Sequence, residues 1–335
     1  MFGQYKNIKI CGIAATAPKR VVNNLELVDQ LESRRAKRQV SVTGINRRHV
    51  CQKGQAASDM ACVAAERVFE HLGWRRDEIK ALIFVTQSPD VQTPATAMIV
   101  QKRLQIGKDC IAFDVNLGCT GYVSGLQIIS AILNNVHGKG LLLVGDGRYS
   151  GDDIKVTSTD ALLFGDGASA TALEYVEGEE GFCYSQYTDG SRHELITKSL
   201  EGEINMDGNA VLLFSLDEVS RSIVDIKKHF SISEEAIDYY VLHQAQKIIL
   251  NGMANECNFD VSKMLISYDE FGNTSTATVP LTICRNAELL RKKDKVSLLM
   301  SGFGVGLAWS NVYLTLDTKG ILPLELSDFC YGEIE

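Results

Sequence analysis

A cysteine lies in a glycine-rich stretch that separates two different hydrophobic patterns. The apolar run at 111–115 is typical of a buried strand, and the apolar residues after the glycines recur at helical spacing as far as Val136. Cys119 is therefore expected at a strand-to-helix turn, beside backbone N–H groups that favour a thiolate. Gly118 and Gly121 leave room for a substrate. The thiol could also simply pack, because free cysteine is often buried.

Two further side chains suit the same chemistry. The run at 239–243 predicts a strand that ends on His243, and Asn273 directly precedes a predicted helix over 276–290. Catalytic groups of open α/β sheets gather at the carboxyl ends of strands, so the three side chains are expected to converge. Cys119 would be the nucleophile, while the other two donate hydrogen bonds to a thioester or enolate oxygen, or move a proton. Taken singly, a structural histidine and a turn or helix-cap asparagine are the simpler interpretations.

The elements that must position these residues occur twice along the chain. In the first part the predicted order is strand 82–86, helix 95–104, strand 111–115, helix 120–136, strand 141–144 and strand 168–175. In the second part it is strand 239–243, helix 245–255, strand 264–268, helix 276–290, strand 296–300 and strand 310–316. This repeat predicts an internal duplication, with one half at 1–177 that carries the cysteine and another at 178–335 that carries the histidine and asparagine. Two sheets covered by helices would stack into an α/β/α/β/α body of five layers.

Composition is that of an ordinary globular protein and narrows the choice of partners. The 335 residues are 45% hydrophobic and 23% charged, and the net charge of −8 argues against nucleic acid as a partner. Neither an apolar run of about 18 residues nor a signal-peptide core is present, so no membrane span is expected. Nine cysteines without C-x-x-C spacing predict a reduced, cytoplasmic compartment. The six histidines show no ligand spacing, so neither a metal nor a cofactor is predicted.

Three other stretches each allow two interpretations. Gly-Phe-Gly-Val-Gly at 302–306 could expose backbone N–H groups as an anion nest, or form a tight turn. Phe-Gly-Asp-Gly at 164–167 contains Asp166, which could brace its loop or close a turn. The basic cluster at 34–38 could dock an anionic partner, although a solvated helix face is the simpler interpretation.

Taken together, these motifs resemble the thiolase superfamily and most closely its β-ketoacyl-acyl carrier protein synthase III enzymes. The resemblance covers nearly the whole chain. It is carried by Thr-Gly-Ile at 43–45 with Arg47 and Arg48, the strand at 82–86, the cysteine segment 114–121, Phe-Gly-Asp-Gly-Ala at 164–168, Met-Asp-Gly-Asn at 206–209, His-Gln-Ala at 243–245, Gly-Asn-Thr-Ser at 272–275 and Gly-Phe-Gly at 302–304. The order Cys, His, Asn with these flanks is highly specific, whereas any one motif would not be.

The resemblance implies a thiolase-like fold and a decarboxylative Claisen condensation. An acyl group would be carried on Cys119, while His243 and Asn273 promote decarboxylation of a malonyl thioester. The resulting carbanion would attack the acyl group and give a 3-oxoacyl thioester. The alternatives are an acyltransferase that moves the acyl group to a hydroxyl or amine acceptor, and a silent partner subunit of a heteromeric enzyme.

The resemblance also implies the surroundings of the thiol. The oxyanion would be held by backbone N–H groups at Cys119, Gly304, Val305 and Gly306. The substrate pocket would involve Thr93, Pro94 and Phe214. Such enzymes are homodimers in which segment 92–96 of one subunit reaches toward the pocket of the other, and they receive acyl and malonyl thioesters from acyl carrier protein or CoA.

The chain departs from the family pattern where carriers are recognised. The Trp that holds adenine in CoA-using members falls at about Arg38, and segment 158–162 lacks their Arg. Positions where the family has basic residues for the carrier protein hold Ile248, Leu213, Asn255 and Glu256. The usual Asn after His-Gln-Ala is Gln246, and Gln87 stands near the catalytic Glu of hydroxymethylglutaryl-CoA synthases, which disfavours their aldol chemistry. These departures predict a specialised lipid, polyketide or acyl-modification pathway.

Overall fold

The computed structural model describes residues 1–30, 34–147, 162–199 and 204–332. The strands are β1 (Phe2–Tyr5), β2 (Ile8–Ala17), β3 (Val21–Asn23), β4 (Arg47–His49), β5 (Ile79–Val85), β6 (Ile111–Val115), β7 (Lys139–Asp146), β8 (Gly167–Tyr175), β9 (Phe182–Thr188), β10 (Ile196–Lys198), β11 (Ile204–Met206), β12 (Tyr239–Leu242), β13 (Lys295–Gly304), β14 (Ala308–Asp317) and β15 (Glu325–Leu326). The helices are α1 (Asn24–Gln30), α2 (Arg34–Thr43), α3 (Ala57–Leu72), α4 (Thr96–Arg103), α5 (Gly121–Val136), α6 (Gly208–Phe214), α7 (Ser220–His229), α8 (Lys247–Cys257), α9 (Tyr268–Phe271), α10 (Thr278–Arg285) and α11 (Ala287–Leu290). A π-helical turn, Ser215–Val219, joins α6 to α7.

Two large sheets form the framework of the described residues. The first has the order β15-β2-β8-β7-β5-β6, and the second has the order β1-β9-β14-β13-β12. In the first sheet β5 is parallel to both β6 and β7, and in the second β12 is parallel to β13. The terminal strands are exchanged, because β1 pairs with β9 and β15 pairs with β2. The division at residues 177 and 178 stays a prediction.

Helices lie between the sheets and on both outer faces. Helix α5 packs on β5 and β7 of the first sheet and on β13 and β14 of the second, and α10 likewise contacts β2, β8, β12 and β13. Helices α3 and α4 cover the outer face of the first sheet, and α7 covers that of the second. Burial of the apolar sides of α5 and α10 between two sheets stabilises this arrangement. The predicted five-layer α/β/α/β/α fold is confirmed.

Local sequence accounts for the strands that lead into the site. Strand β5, Ile-Lys-Ala-Leu-Ile-Phe-Val, is almost wholly buried, as expected for a strand with neighbours on both edges and helices on both faces. Strand β6 lies at the edge of its sheet and ends two residues before Leu117. Asp114 in β6 accepts hydrogen bonds from Thr96 N and Ala97 N, at 2.6 and 2.7 Å, and so ties β6 to the first turn of α4.

The largest differences between the predicted elements and the structure lie in the second half of the chain. The strand expected at 264–268 is wrong: Met264 forms one isolated bridge with Tyr240, and α9 begins at Tyr268. The Gln244 side chain accepts from Ser267 N and Tyr268 N, so these two N–H groups do not pair with a strand. The helix expected at 276–290 is divided into a short 3-10 turn, α10 and α11, and the strand expected at 296–300 continues as β13 to residue 304. No helix in the described ranges has the length and apolarity to cross a bilayer.

Candidate active site

One cavity brings together the three side chains that the sequence singled out. Cys119, His243 and Asn273 all line it, although they come from different halves of the chain. Its walls are largely apolar and include Leu163, Phe164, Ile196, Ile204, Val211 and Ile249. Such a cavity, with a few convergent polar groups, is the usual form of a small-molecule site. Among the residues described, no three His, Cys, Asp or Glu side chains are grouped as a metal site requires.

Cys119 is half-buried in the turn that connects β6 with α5. The turn is closed by Gly121 N, which donates to Gly118 O at 2.7 Å. The thiol therefore sits at the N-terminus of a 16-residue helix, as the sequence predicted. This position places the positive end of the helix dipole near the sulfur.

The end of β13 passes directly beside the thiol. A Cβ at residue 304 would lie 2.9 Å from the Cβ and 3.1 Å from the Sγ of Cys119, and the φ of Gly304 is +150°. A Cβ at residue 302 would lie 2.9 Å from the carbonyl oxygen of Cys119. Glycine at these two positions lets the strand approach the sulfur. The backbone of Gly304 and Val305 thus lines the cavity next to the nucleophile candidate.

The glycine-rich segment after residue 300 is more regular than expected. Gly302 and Gly304 belong to β13, and residues 305–307 make a tight turn into the antiparallel β14. Gly306 is not among the residues that line the cavity, whereas Gly304 and Val305 are. The tight-turn interpretation therefore describes the backbone, and the oxyanion role of these residues stays a prediction.

His243 follows β12 directly and is buried, with 2% of its surface exposed. Its backbone N donates to Ser301 O at 2.7 Å, which fixes its position against β13. The ring Nδ1 lies 2.8 Å from Thr278 Oγ1, and the ring meets Phe303 edge-on at 5.3 Å. With Nδ1 engaged by Thr278, the ring presents its Nε2 edge to the cavity.

Asn273 lies in the turn before α10 and is 8% exposed. Its Oδ1 accepts a hydrogen bond from Ser275 N at 2.9 Å, so the amide NH₂ is the group that can face the cavity. Its backbone is held from the other half of the chain, because Asn273 N donates to Leu163 O and Gly165 N donates to Asn273 O. The amide is therefore oriented as a hydrogen-bond donor.

A buried aspartate that sequence analysis missed connects the loops around the cavity. Asp146, at the end of β7, is 1% exposed. Its Oδ1 accepts from Thr86 Oγ1, Gln87 N and Ser88 Oγ, and its Oδ2 accepts from Thr276 N and Thr276 Oγ1. The carboxylate thus ties the loop after β5 to the turn that carries Asn273. The only signal in the sequence is an acidic residue at the end of an apolar run.

Further polar residues line the cavity, among them Gln87 and Lys198. The Gln87 side chain lies against the cysteine turn, since a Cβ at Gly118 would be 2.8 Å from Gln87 Oε1. Lys198 Nζ donates to Gln87 O at 3.3 Å. Both residues line the cavity, and each comes from a loop or short strand whose place in space the sequence pattern does not indicate.

The expected pocket residues lie elsewhere in the single chain. Thr93 and Pro94 are exposed and do not line the cavity. Phe214 is buried behind the cavity wall, where it packs edge-on against Trp309 at 5.2 Å. Their contribution to substrate binding remains a prediction.

The Phe-Gly-Asp-Gly loop is held by buried polar contacts. Asp166 Oδ2 accepts from Cys51 N at 2.8 Å, and the Asp166 N donates to His49 O, so this aspartate braces the loop. Arg48 is fully buried and donates to Asn24 Oδ1 and to Phe164 O, both at 2.9 Å. Burial lowers the pKa of His49, and the hydrogen bond with the Pro18 carbonyl opposes that shift. These contacts fix the cavity wall at Phe164.

Comparisons with known proteins agree with this geometry. Residues 113–190 match the family model for 3-oxoacyl-[acyl-carrier-protein (ACP)] synthase III, and residues 228–316 match the model for its C-terminal part. The β-ketoacyl-[acyl-carrier-protein] synthase III of Streptococcus sanguinis is 32% identical over 325 residues, which are 92% of this chain and 99% of that protein. The enzyme of the same name from Clostridium perfringens is 30% identical over 326 residues, covering 93% and 100%.

A solved structure extends the likeness to three dimensions. The crystal structure of 3-oxoacyl-(acyl-carrier protein) synthase from Burkholderia xenovorans superposes with a TM-score of 0.91 at 27% identity, covering 98% of this chain and 99% of that one. The two sheets, the helices between them and the full-length likeness to the curated relatives identify the same family. The chain belongs to the 3-oxoacyl-acyl carrier protein synthase III family of the thiolase superfamily, whose members are condensing transferases.

Proposed function

We propose that this protein catalyses a decarboxylative Claisen condensation in which Cys119 carries the acyl group. The observation that supports this most strongly is the convergence of Cys119, His243 and Asn273 in one cavity of a chain that belongs to this family. Nucleophile, imidazole and amide are the three groups that the reaction needs, and the folding of two separate halves brings them together.

The first half-reaction acylates the enzyme. Cys119 Sγ attacks the carbonyl carbon of an acyl thioester, the carrier thiol leaves with a proton, and the acyl group remains on the sulfur. The negative charge that develops on the carbonyl oxygen falls near the backbone at Cys119 and at Gly304 and Val305, where N–H groups would stabilise it. The close approach of Gly304 to the sulfur supports this placement.

The second half-reaction forms the new carbon–carbon bond. The bond between the malonyl α-carbon and its carboxylate breaks, CO₂ leaves, and the electron pair enters the thioester as an enolate. Hydrogen bonds from His243 and Asn273 to the enolate oxygen lower the energy of this intermediate. The α-carbon then attacks the acyl carbon, the bond to Cys119 Sγ breaks with its electron pair on the sulfur, and the 3-oxoacyl thioester leaves with Cys119 regenerated as the thiolate.

We also propose that the substrates are thioesters of acyl carrier protein or CoA, and that the enzyme acts in a specialised pathway. The similar proteins from Streptococcus and Clostridium are named for acyl carrier protein. Here, however, Leu213 and Ile248 are 67% and 42% exposed at positions where the family resemblance expects basic residues. An apolar surface in that place favours a carrier or acyl donor other than that of the common fatty acid pathway.

We further propose a homodimer. Strand β6 lies at the edge of its sheet with Ile111 47% exposed, and the exposed segment 92–94 directly precedes the start of α4, which is hydrogen-bonded to Asp114 of β6. A second copy would cover the edge strand, which otherwise offers unpaired backbone groups to other chains. Light scattering coupled to size-exclusion chromatography tests this: the mass of two chains supports the dimer, and the mass of one contradicts it.

The experiment that tests the reaction uses malonyl thioesters labelled at the free carboxyl group. The purified protein is mixed with an acyl thioester and the labelled malonyl thioester, and released CO₂ and product mass are followed. Labelled CO₂ together with a 3-oxoacyl product supports the condensation. Acylation of Cys119 without CO₂ contradicts it, and an acylated hydroxyl or amine without a new carbon–carbon bond would indicate the acyltransferase instead.

A further inference from the structure

A hydroxyl on α10 contacts the candidate catalytic histidine from behind. Thr278 is 1% exposed, and its Oγ1 lies 2.8 Å from His243 Nδ1. The same oxygen lies 3.2 Å from Ser275 O, one turn earlier. Thr278 does not line the cavity, so any effect it has on the reaction is indirect.

The hydroxyl has one hydrogen and two neighbours that could accept it. Thr278 Oγ1 is within donating distance of Ser275 O at 3.2 Å, but a hydroxyl donates most favourably at about 2.5–3.0 Å, so this is the longer and weaker of its two hydrogen bonds. The contact with His243 Nδ1 has a normal length. The Thr278 hydroxyl therefore donates more favourably to the imidazole. An Nδ1 that accepts this hydrogen bond is the unprotonated nitrogen of the ring.

We infer that Thr278 is a positioning residue that donates its hydroxyl hydrogen to Nδ1 of His243 and so fixes the tautomer with the proton on Nε2. The neutral ring then offers a donor, not a lone pair, to the cavity. This inference rests on the proposed function for its chemical meaning, because an Nε2–H is what a developing enolate oxygen requires.

The same turn orients the second donor. Ser275 N donates to Asn273 Oδ1 at 2.9 Å, which turns the amide NH₂ toward the cavity, and Ser275 adopts a left-handed φ of +53°. The start of α10 thus holds both side chains by their far ends: Asn273 through the backbone of Ser275 and His243 through the hydroxyl of Thr278. This short segment would therefore orient two hydrogen-bond donors, His243 and Asn273, toward the same enolate oxygen.

The test compares two substitutions of the same residue with a neighbour on the same helix. Thr278→Val keeps the shape and removes the hydroxyl, and Thr278→Ser keeps the hydroxyl. The control is Thr282→Val, one turn further along α10, whose hydroxyl donates to Thr278 O and also contacts Ser267 Oγ.

The direct readout is ¹⁵N NMR of protein labelled at histidine, with the His243 signals identified by their loss in His243→Gln. In the wild type, Thr278→Ser and Thr282→Val we expect an Nε2-protonated ring. In Thr278→Val we expect the proton to redistribute toward Nδ1. An Nδ1-protonated ring in the wild type, or an unchanged tautomer in Thr278→Val, would overturn the inference.

The kinetic readout separates the two half-reactions. Loss of one hydrogen bond that fixes a reactive group should lower the rate of CO₂ release in Thr278→Val by roughly 10- to 100-fold. Acylation of Cys119 should stay within about twofold of the wild type, and Thr278→Ser should recover most of the loss. If Thr278→Val does not fold, Thr278→Ala, which also removes the hydroxyl, takes its place, and an Nδ1-protonated ring in the wild type still overturns the inference. A wild type that has the Nε2–H tautomer but releases no CO₂ refutes the condensation and leaves the tautomer assignment standing.

Discussion

The two turns that precede the central helices occupy equivalent places in the two halves but are built in opposite ways. The turn before α5 carries Cys119, which is half-buried and is surrounded by glycine. The turn before α10 carries Asn273, which is 8% exposed, donates a backbone hydrogen bond to Leu163 and accepts hydrogen bonds from Gly165 and Ser275. One position leaves space around its side chain, and the other fixes its side chain in one orientation.

This difference matches what each side chain would have to do. A nucleophile must accept an acyl group and later release it, so the space beside its sulfur has to stay open. A hydrogen-bond donor stabilises an oxyanion best when its direction is fixed before the charge develops. A duplicated framework therefore supplies the same backbone position twice, and local packing gives the two copies separate roles.

Removal of the thiol is the substitution with the largest expected effect on this comparison. Cys119→Ala should abolish acylation and lower condensation by at least about a thousandfold, because no other group at the open turn can carry the acyl chain. Intact mass after incubation with an acyl thioester measures the first effect. Cys110→Ala, at a half-buried cysteine outside the cavity, is the control and should acylate normally. Acylation that persists in Cys119→Ala would contradict the assignment.

The fixed turn is tested by Asn273→Asp. The new carboxylate still accepts from Ser275 N, but it has no hydrogen to donate to an enolate oxygen. Its negative charge also repels that of the enolate. Decarboxylation should fall by roughly 100- to 1000-fold, as for removal of a single oxyanion donor, while acylation of Cys119 remains. Asn135→Asp, at an exposed site near the end of α5, is the matched control. Equal loss of both half-reactions would show that Asn273 acts on the structure of the turn and not as a donor.

The open turn is tested by Gly304→Ala. The added methyl would lie 3.1 Å from Cys119 Sγ, and alanine would have to adopt the positive φ of +150° that Gly304 has. Acylation should therefore slow by about tenfold or more. Gly190→Ala, where no atom lies within 4 Å of the added Cβ, should acylate at the wild-type rate. Acylation rates are measured by intact mass on samples quenched at successive times. A wild-type rate in Gly304→Ala would mean that the space beside the sulfur is not needed.

The connection between the halves is tested by Asp146→Asn, for which the smallest effect is expected. The carboxamide has one acceptor oxygen in place of two, so part of the set of hydrogen bonds from the Gln87 loop and from Thr276 is lost. We expect the free energy of unfolding to fall by about 1–3 kcal/mol in urea denaturation. The control Asp109→Asn removes an exposed ion pair with Lys80 and should change stability by less than about 1 kcal/mol. Equal stability of both variants would contradict the role of Asp146.

Much of this architecture could be predicted from the sequence because its signals are local. The change from a short apolar run to helical spacing marked the turn at Cys119, and the repeat of that pattern marked the turn at Asn273. The two central helices and the five-layer arrangement could be predicted from this repeated pattern. The strand expected at 264–268 failed because Gln244 takes up the N–H groups of Ser267 and Tyr268, which an apolar pattern does not reveal.

The remaining features depend on contacts between distant parts of the chain. Asp146 meets Thr276 across 130 residues, and nothing near either residue in the sequence indicates this contact. The exchange of terminal strands was missed because β1 has 4 residues and β15 has 2, which is too short for a hydrophobic period to appear. The hydrogen bond between Thr278 and His243 likewise needs the helix to be seen packed behind the strand.

The central claim is that Cys119 carries an acyl group that a malonyl thioester then consumes. Its most direct test is the intact mass of the protein across a panel of acyl-CoA and acyl-carrier donors, taken before and after addition of the malonyl thioester. We predict an adduct on Cys119 that the malonyl thioester discharges into a 3-oxoacyl product with loss of CO₂. An adduct on another residue, or one that the malonyl thioester leaves in place, would contradict the account.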